Sequence, residues 1–140
     1  MPTDSALTLK RYVVKDIRFS LSTKFDFLKP QSVRIEPQID REFIPLSADD
    51  VIVVLKLAIH DKDTLLPFSL DVAVEGSFGM KEWQTNESSR MIIENNATAI
   101  LFPYLRSLVT GITAGANIPP YILPVMNIVA YFEKKESNKR

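Results

Sequence analysis

The stretch 100–132, ILFPYLRSLVTGITAGANIPPYILPVMNIVAYF, constrains the fold of this chain more than any other part. Two apolar segments with helical spacing flank a connector that contains Pro119, Pro120 and Pro124. Proline fixes φ and lacks the amide donor, so neither one continuous helix nor a strand can run through the connector. The chain must turn back after the first helix, holding Ile118, Tyr121, Ile122 and Leu123 between prolines. Large apolar side chains on a braced loop are suited to gripping apolar material, because little ordering entropy is lost on contact. No catalytic motif accompanies them, so the chemistry to explain is binding.

Composition narrows the class. A chain of 140 residues is long enough for one domain with its own core. Apolar residues make up 46% and charged residues 24%, the balance of a globular protein and not of a disordered one. Basic and acidic residues both number 17, which leaves no surplus for a nucleic-acid partner and little repulsion between copies. The absence of cysteine excludes disulfides, thiolate metal sites and cysteine catalysis, in keeping with a cytoplasmic protein. His60 is the single histidine, so no histidine-rich metal site can form, and no cofactor is implied. The first residues, MPTDSALTLKRY, hold no apolar core of a secretory leader, and no uninterrupted apolar run approaches about 18 residues. Membrane insertion is not expected.

The whole chain, 1–140, reads as one domain in which a strand half precedes a helix half. The sheet is expected over about 9–80, helices over about 88–135 and a polar tail over 134–140. In 9–21 the apolar residues Tyr12, Val14, Ile17, Phe19 and Leu21 alternate roughly, as a strand requires. Residues 32–39 alternate through Val33, Ile35 and Ile39. Pro37 cannot donate to a ladder, which makes this segment a sheet edge or an extended crossing. Residues 51–59 (VIVVLKLAI) and 68–78 form a central hairpin, turned by His60, Asp61, Lys62 and Asp63. A helix begins near Arg90 under a Ser88 or Ser89 cap, or earlier near Thr85. It carries Ala97, Ile100, Leu101, Tyr104, Leu105, Leu108 and Ile112 at helical spacing. Pro103 predicts a kink or a restart within it, and Gly115 its C-terminal cap. Pro124 opens a second helix to about Lys134, after which the tail frays.

Several of these residues carry a family resemblance. ILFPY with Arg106, then IPP and ILP at 118–124 and Asn127 after them, resemble the two helices and connecting loop of the SecB-like chaperones. Tyr12 and KDIRF at 15–19 resemble that family's first strand, and ADDV at 48–51 the start of its third. Phe68, Asp71, Val72 and GSF at 76–78 resemble its fourth. The likeness runs in order over about 11–132. It implies an α+β fold, a four-stranded antiparallel sheet followed by two helices, assembled as a dimer of dimers. It implies an ATP-independent holdase, a cytoplasmic homotetramer that binds unfolded polypeptides for protein export.

In that family the client groove runs between the helix-connecting loop with its second helix and the extended segment after the first strand. Carried over, Val33 and Ile35 line one side; Ile118, Tyr121, Ile122, Leu123 and Met126 line the other; Leu70 and Val72 contribute from the sheet. Pro37 stands where the family often has a further apolar residue. Export members hand clients to SecA through acids on the flat sheet face, and Asp16 and Asp71 occupy two of those positions. Ser20 stands at a third, beside Arg18. A second branch of the family protects an antitoxin in a toxin–antitoxin system through the same groove, and Ser20 with the basic tail leans that way. A third reading is a structural or regulatory subunit with the same fold and a closed groove.

Plainer roles compete at individual positions. Leu70, Val72 and Met126 have spacing that suits the core, and Tyr121 could pack down with its hydroxyl as the one exposed atom. Leu101, Tyr104, Leu105 and Leu108 suit a subunit interface as well as the core. His60, Asp61 and Asp63 read as a solvated turn, not a metal site, and Asp49 with Asp50 as the beginning of a strand. Gly76 and Gly79 fit a bulge or turn, and Trp83 a packing anchor. Nothing assembles a nucleophile, a base and an orienting group, so an enzyme is not expected.

Overall fold

The computed structural model describes residues 7–29, 31–61 and 65–138. Strands β1 (Thr8–Leu21), β2 (Gln38–Pro45), β3 (Asp50–Ile59) and β4 (Phe68–Gly79) make one antiparallel sheet in the order β1–β4–β3–β2. A helical segment then runs unbroken from Glu87 to Gly115: α1 (Glu87–Ile92), one π-helical turn (Ile93–Ala97) and α2 (Thr98–Gly115). After the proline connector comes α3 (Ile128–Ser137). The architecture is the expected α+β one.

Register explains why β1 alternates only roughly. Leu9, Tyr12, Val14, Ile17, Phe19 and Leu21 all pair with β4 residues of the helix-facing row. Two of those steps, Leu9 to Tyr12 and Val14 to Ile17, are one residue too long for a period of two. Each coincides with a register shift, between Leu9 and Arg11 and between Val14 and Asp16, where a bulge absorbs the extra residue. The central strands need no such device. Val51, Val53, Leu55, Leu57 and Ile59 lie opposite Phe78, Gly76, Val74, Val72 and Leu70, and every apolar member of the two rows is buried. Gly76 is therefore not at a turn. It lies in mid-strand, where a Cβ would stand 2.7 Å from Cε2 of Phe78 and 2.8 Å from Cδ2 of Leu101.

Other boundaries depart from the sequence reading, each for a local reason. The second strand begins at Gln38, where the alternating segment 32–39 ends; residues 31–37 are extended but unpaired in the sheet. Pro37 has no amide to give a ladder, and pairing starts only past it. The first helix starts at Glu87 because Asn86, not serine, caps it, its Oδ1 accepting from the Ser89 amide at 2.8 Å. Pro103 sits on the exposed side and does not interrupt α2; the irregular turn lies N-terminal to it. Gly115 is the last helical residue, and the left-handed position that reverses the chain is Asn117, with φ 63°. Pro124 does not open α3. Asn127 does, its Oδ1 accepting from the Ala130 amide at 3.0 Å.

The beginning of the tail is held in place. Lys135 Nζ donates to the Ile39 carbonyl at 2.7 Å and pairs with Asp40, while Glu136 accepts from Arg41 at 3.0 Å. By length and composition Glu87–Gly115 could cross a bilayer. In this fold its stripe of Leu101, Leu105 and Val109 is buried in the core shared with the sheet. Lys62 and Asp63 of the expected hairpin turn, and the last two residues of the tail, lie outside the described residues.

Candidate functional site

A groove of about 700 Å³ opens where the end of β1 and the start of β4 meet the connector that follows α2. Phe68, almost fully buried, and Leu21 come from the sheet; Phe25, Phe27 and Ile35 come from the irregular and extended segments after β1. Ile118, Pro119, Pro120 and Tyr121 come from the connector. Aromatic rings dominate. Phe25 meets Phe27 edge-on at 4.9 Å, and Phe68 lies 5.7 Å from Phe19 and 6.3 Å from Tyr121. Such a surface offers area and polarizability without demanding a particular side chain in return.

The connector stands where it does because α2 grips it through two threonines three residues apart. Buried Thr113 accepts the Tyr121 amide at 2.8 Å and lies 3.1 Å from the carbonyls of Val109 and Thr110. Thr110 Oγ1 donates to the Tyr121 carbonyl at 3.2 Å. Both main-chain groups of Tyr121 are thus satisfied by one helix face, directly after two prolines that have no amide to donate.

The expected site residues divide. Ile35, Ile118 and Tyr121 line the groove. Val33 and Met126 are half-buried against the core outside its lining. Ile122 is 63% exposed and is not part of the groove lining. Leu70, Val72 and Leu123 are sealed in the core and offer no surface to a client; along the connector, inward and outward positions differ although all are large and apolar. The competing packed-down arrangement of Tyr121, with an exposed hydroxyl, is not the one found. Its hydroxyl is the buried atom, with no hydrogen-bond partner among the described residues, and burial raises its pKa above the ordinary phenol value. Leu21, Phe25, Phe27 and Phe68 were not singled out as site residues by the sequence reading; the aromatic content of 23–30 was the available signal.

On the opposite sheet face a smaller concavity of about 510 Å³ gathers Lys15, Asp16, Arg18, Asp40, Lys56 and Asp71. Here the acids are matched within the chain. Asp16 pairs with Arg18 at 3.2 Å, Asp71 with His60 at 3.0 Å, Glu75 with Lys15 at 3.5 Å and Glu42 with Lys56 at 3.6 Å. At the top of the sheet, Asp49 accepts from the Glu82 amide at 2.9 Å, and Lys10 beside Asp50 lowers that carboxyl's pKa, with Ser47 assisting. Trp83 is buried, its Nε1 donating to the Ser47 carbonyl at 3.2 Å. These are structural roles, as the sequence implied. No group of three potential metal ligands occurs among the described residues.

Residues 2–139 match the family model described as SecB, preprotein translocase subunit SecB. An uncharacterized protein of Methanocaldococcus jannaschii is 35% identical over 98% of this chain and 92% of its own length. The protein-export protein SecB of Anaplasma phagocytophilum is 30% identical over 59% of this chain and 54% of its own. Among solved structures, the SecB-like chaperone Rv1957 of Mycobacterium tuberculosis, in complex with a ChAD peptide from the HigA1 antitoxin, is similar with a TM-score of 0.64. It is 14% identical, covering 86% of this chain and 90% of that one, so the likeness is one of fold.

Proposed function

The chain belongs to the SecB family, and from that premise we propose that it is an ATP-independent holdase that keeps unfolded polypeptides in the groove between the 21–35 segment and the proline connector. The observation that carries this is the groove itself: aromatic and aliphatic walls, on a loop braced by two prolines and pinned to α2. An unfolded chain presents apolar side chains in no fixed order, and each one buried there contributes about 1.5–3 kcal/mol. Contacts of that size, repeated over a homotetramer in the cytoplasm, hold a long client by multivalency without sequence readout. Ile35, Ile118 and Tyr121 are the client contacts taken over from the sequence; Leu21, Phe25, Phe27 and Phe68 join them. Val33, Ile122 and Met126 serve a longer client that runs beyond the groove.

Two client pathways share this site. In export the holdase would deliver precursors to SecA through Asp16 and Asp71. Asp16 already has the Arg18 guanidinium as its ion-pair partner and Asp71 hydrogen-bonds the His60 ring, so at Asp16 at least attraction for a basic docking segment is weakened. The pairing of Asp16 within the chain favours the second pathway, a dedicated antitoxin client, the kind of peptide with which the Mycobacterium tuberculosis fold relative was solved.

Ile35→Asp with Ile118→Asp tests the groove. The double variant is expected to keep its far-ultraviolet circular dichroism and its oligomeric mass. It should bind a permanently unfolded, reduced and carboxymethylated protein roughly 100-fold more weakly, since two apolar contacts are lost. Unchanged affinity would remove the groove from the function. A wild-type protein that neither binds this probe nor suppresses its aggregation would instead be a structural or regulatory subunit on the same fold.

A further inference from the structure

We propose that Tyr121 is a two-position side chain whose hydroxyl hydrogen-bonds the main chain of a client in the groove; the proposal rests on the holdase reading above. A buried tyrosine hydroxyl ordinarily has a partner, because stripping water from it without replacement is unfavourable. In the free chain this one has none among the described residues, although its ring forms part of the groove lining. The main chain at Tyr121 cannot shift to relieve it, since Thr110 and Thr113 hold both the carbonyl and the amide. Rotation about the side-chain bonds is the freedom that remains.

An incoming unfolded chain supplies what the hydroxyl lacks. Every residue of it but proline brings one amide donor and one carbonyl acceptor, whatever the side chain. A tyrosine hydroxyl both donates and accepts, so it can meet a client running in either direction. The other polar side chains of the lining, Lys29, Gln31 and Asn117, are exposed to water and lack the unmet need of a buried hydroxyl. Gln31 already donates to the Asp26 carbonyl at 3.0 Å, and Lys29 is an exposed charge that favours water. Swinging the ring outward would also vacate space beside Phe68, 6.3 Å away, for a client's apolar side chain. One residue would then couple a sequence-blind polar contact to an apolar subsite.

Tyr121→Phe separates this from simple packing. The variant should melt at a higher temperature than wild type, because the unpaired hydroxyl is gone. It should also bind the reduced, carboxymethylated unfolded protein about 3- to 10-fold more weakly, the worth of one ordinary hydrogen bond. With ¹³Cζ-labelled tyrosine, the resonance missing from Tyr121→Phe should move when wild type is saturated with the same probe. Equal affinity of the variant, a lowered melting temperature, or an unmoved resonance would each overturn the proposal while leaving the groove in place. Wild-type protein that ignores the probe would overturn both.

Discussion

At the scale of single residues, Gly76 shows how closely the helix is seated on the sheet. Its missing side chain admits Leu101 of α2 and the ring of Phe78, both fully buried, so neither neighbour has room to retreat. Gly76→Ala is expected to lower unfolding free energy by about 1–3 kcal/mol, the range for overpacking a close-packed core. Gly79→Ala provides the contrast, because there the close neighbours of the intruding methyl are Cε and Nζ of Lys10, the far end of an exposed flexible side chain. The surface ion pair of Lys10 with Asp50 is cheap to rearrange, and Asp50 Oδ1 lies at an ordinary 3.7 Å. Its effect should stay within about 0.5 kcal/mol, and urea unfolding of both variants checks the difference. Nothing in the sequence distinguishes these two glycines. The same limit applied to the connector, where Ile122 and Leu123 are neighbours of equal apolarity but one is open and the other sealed. Tertiary packing decides such cases, and composition carries no record of it.

At the scale of elements, Arg41 joins three of them. Its side chain, 6% exposed, leaves β2 and lies over the Phe132 ring of α3 at 4.4 Å and near Phe43 at 5.3 Å. Nη1 donates to the Glu94 carbonyl in the π-helical turn at 2.8 Å and to Thr98 Oγ1 at 3.2 Å; Nη2 reaches Glu136 at 3.0 Å. A planar guanidinium can serve all of these at once, and an ammonium cannot. Arg41→Met should therefore cost about 2–3 kcal/mol in urea unfolding, for charge-assisted hydrogen bonds lost from a buried site. Arg41→Lys should recover little of it, and amide exchange in α3 should quicken in both. This joint was invisible in the sequence, where the alternation of Val33, Ile35 and Ile39 around Pro37 left 32–39 as either a sheet edge or an extended crossing. Alternation reports which side of an extended segment is buried, and 31–37 is buried on one side without pairing. β1, β3 and β4 were legible because their rows are long and their pattern survives two bulges. Helix ends were less so: asparagines at 86 and 127 took the capping roles that serine and proline signals had claimed. The site was half legible, since prolines announce a braced loop, whereas the irregular 23–29 segment gives no period from which to place Phe25 and Phe27.

At the scale of the whole molecule, apolar surface is left over that the single chain does not cover. α2 shields the buried rows of β3 and β4, but the bulged middle of β1 extends past it. Val14 and Ile17 face the helix side of the sheet yet remain open, Ile17 at 47% exposure. Beside them Tyr12 stacks on Tyr104 at 4.5 Å, and Tyr104 is itself 42% exposed, with Ile100 one turn away on the same helix. A continuous apolar area of this kind marks an interaction surface, and zero formal net charge puts no electrostatic barrier between copies. The proposed homotetramer supplies the cover. Ile17→Asp with Tyr104→Asp is expected to reduce the mass seen by light scattering from tetramer to dimer or monomer while circular dichroism keeps the α+β signature. Binding should then diverge by client length. A short peptide that fills one groove should bind the smaller species within about twofold of the parent. A long unfolded chain should lose 10²-fold or more, because the avidity that comes from linking several grooves vanishes with the assembly. Unchanged mass would place the interface elsewhere, and unchanged affinity for the long chain in a smaller species would mean that one groove does all the holding.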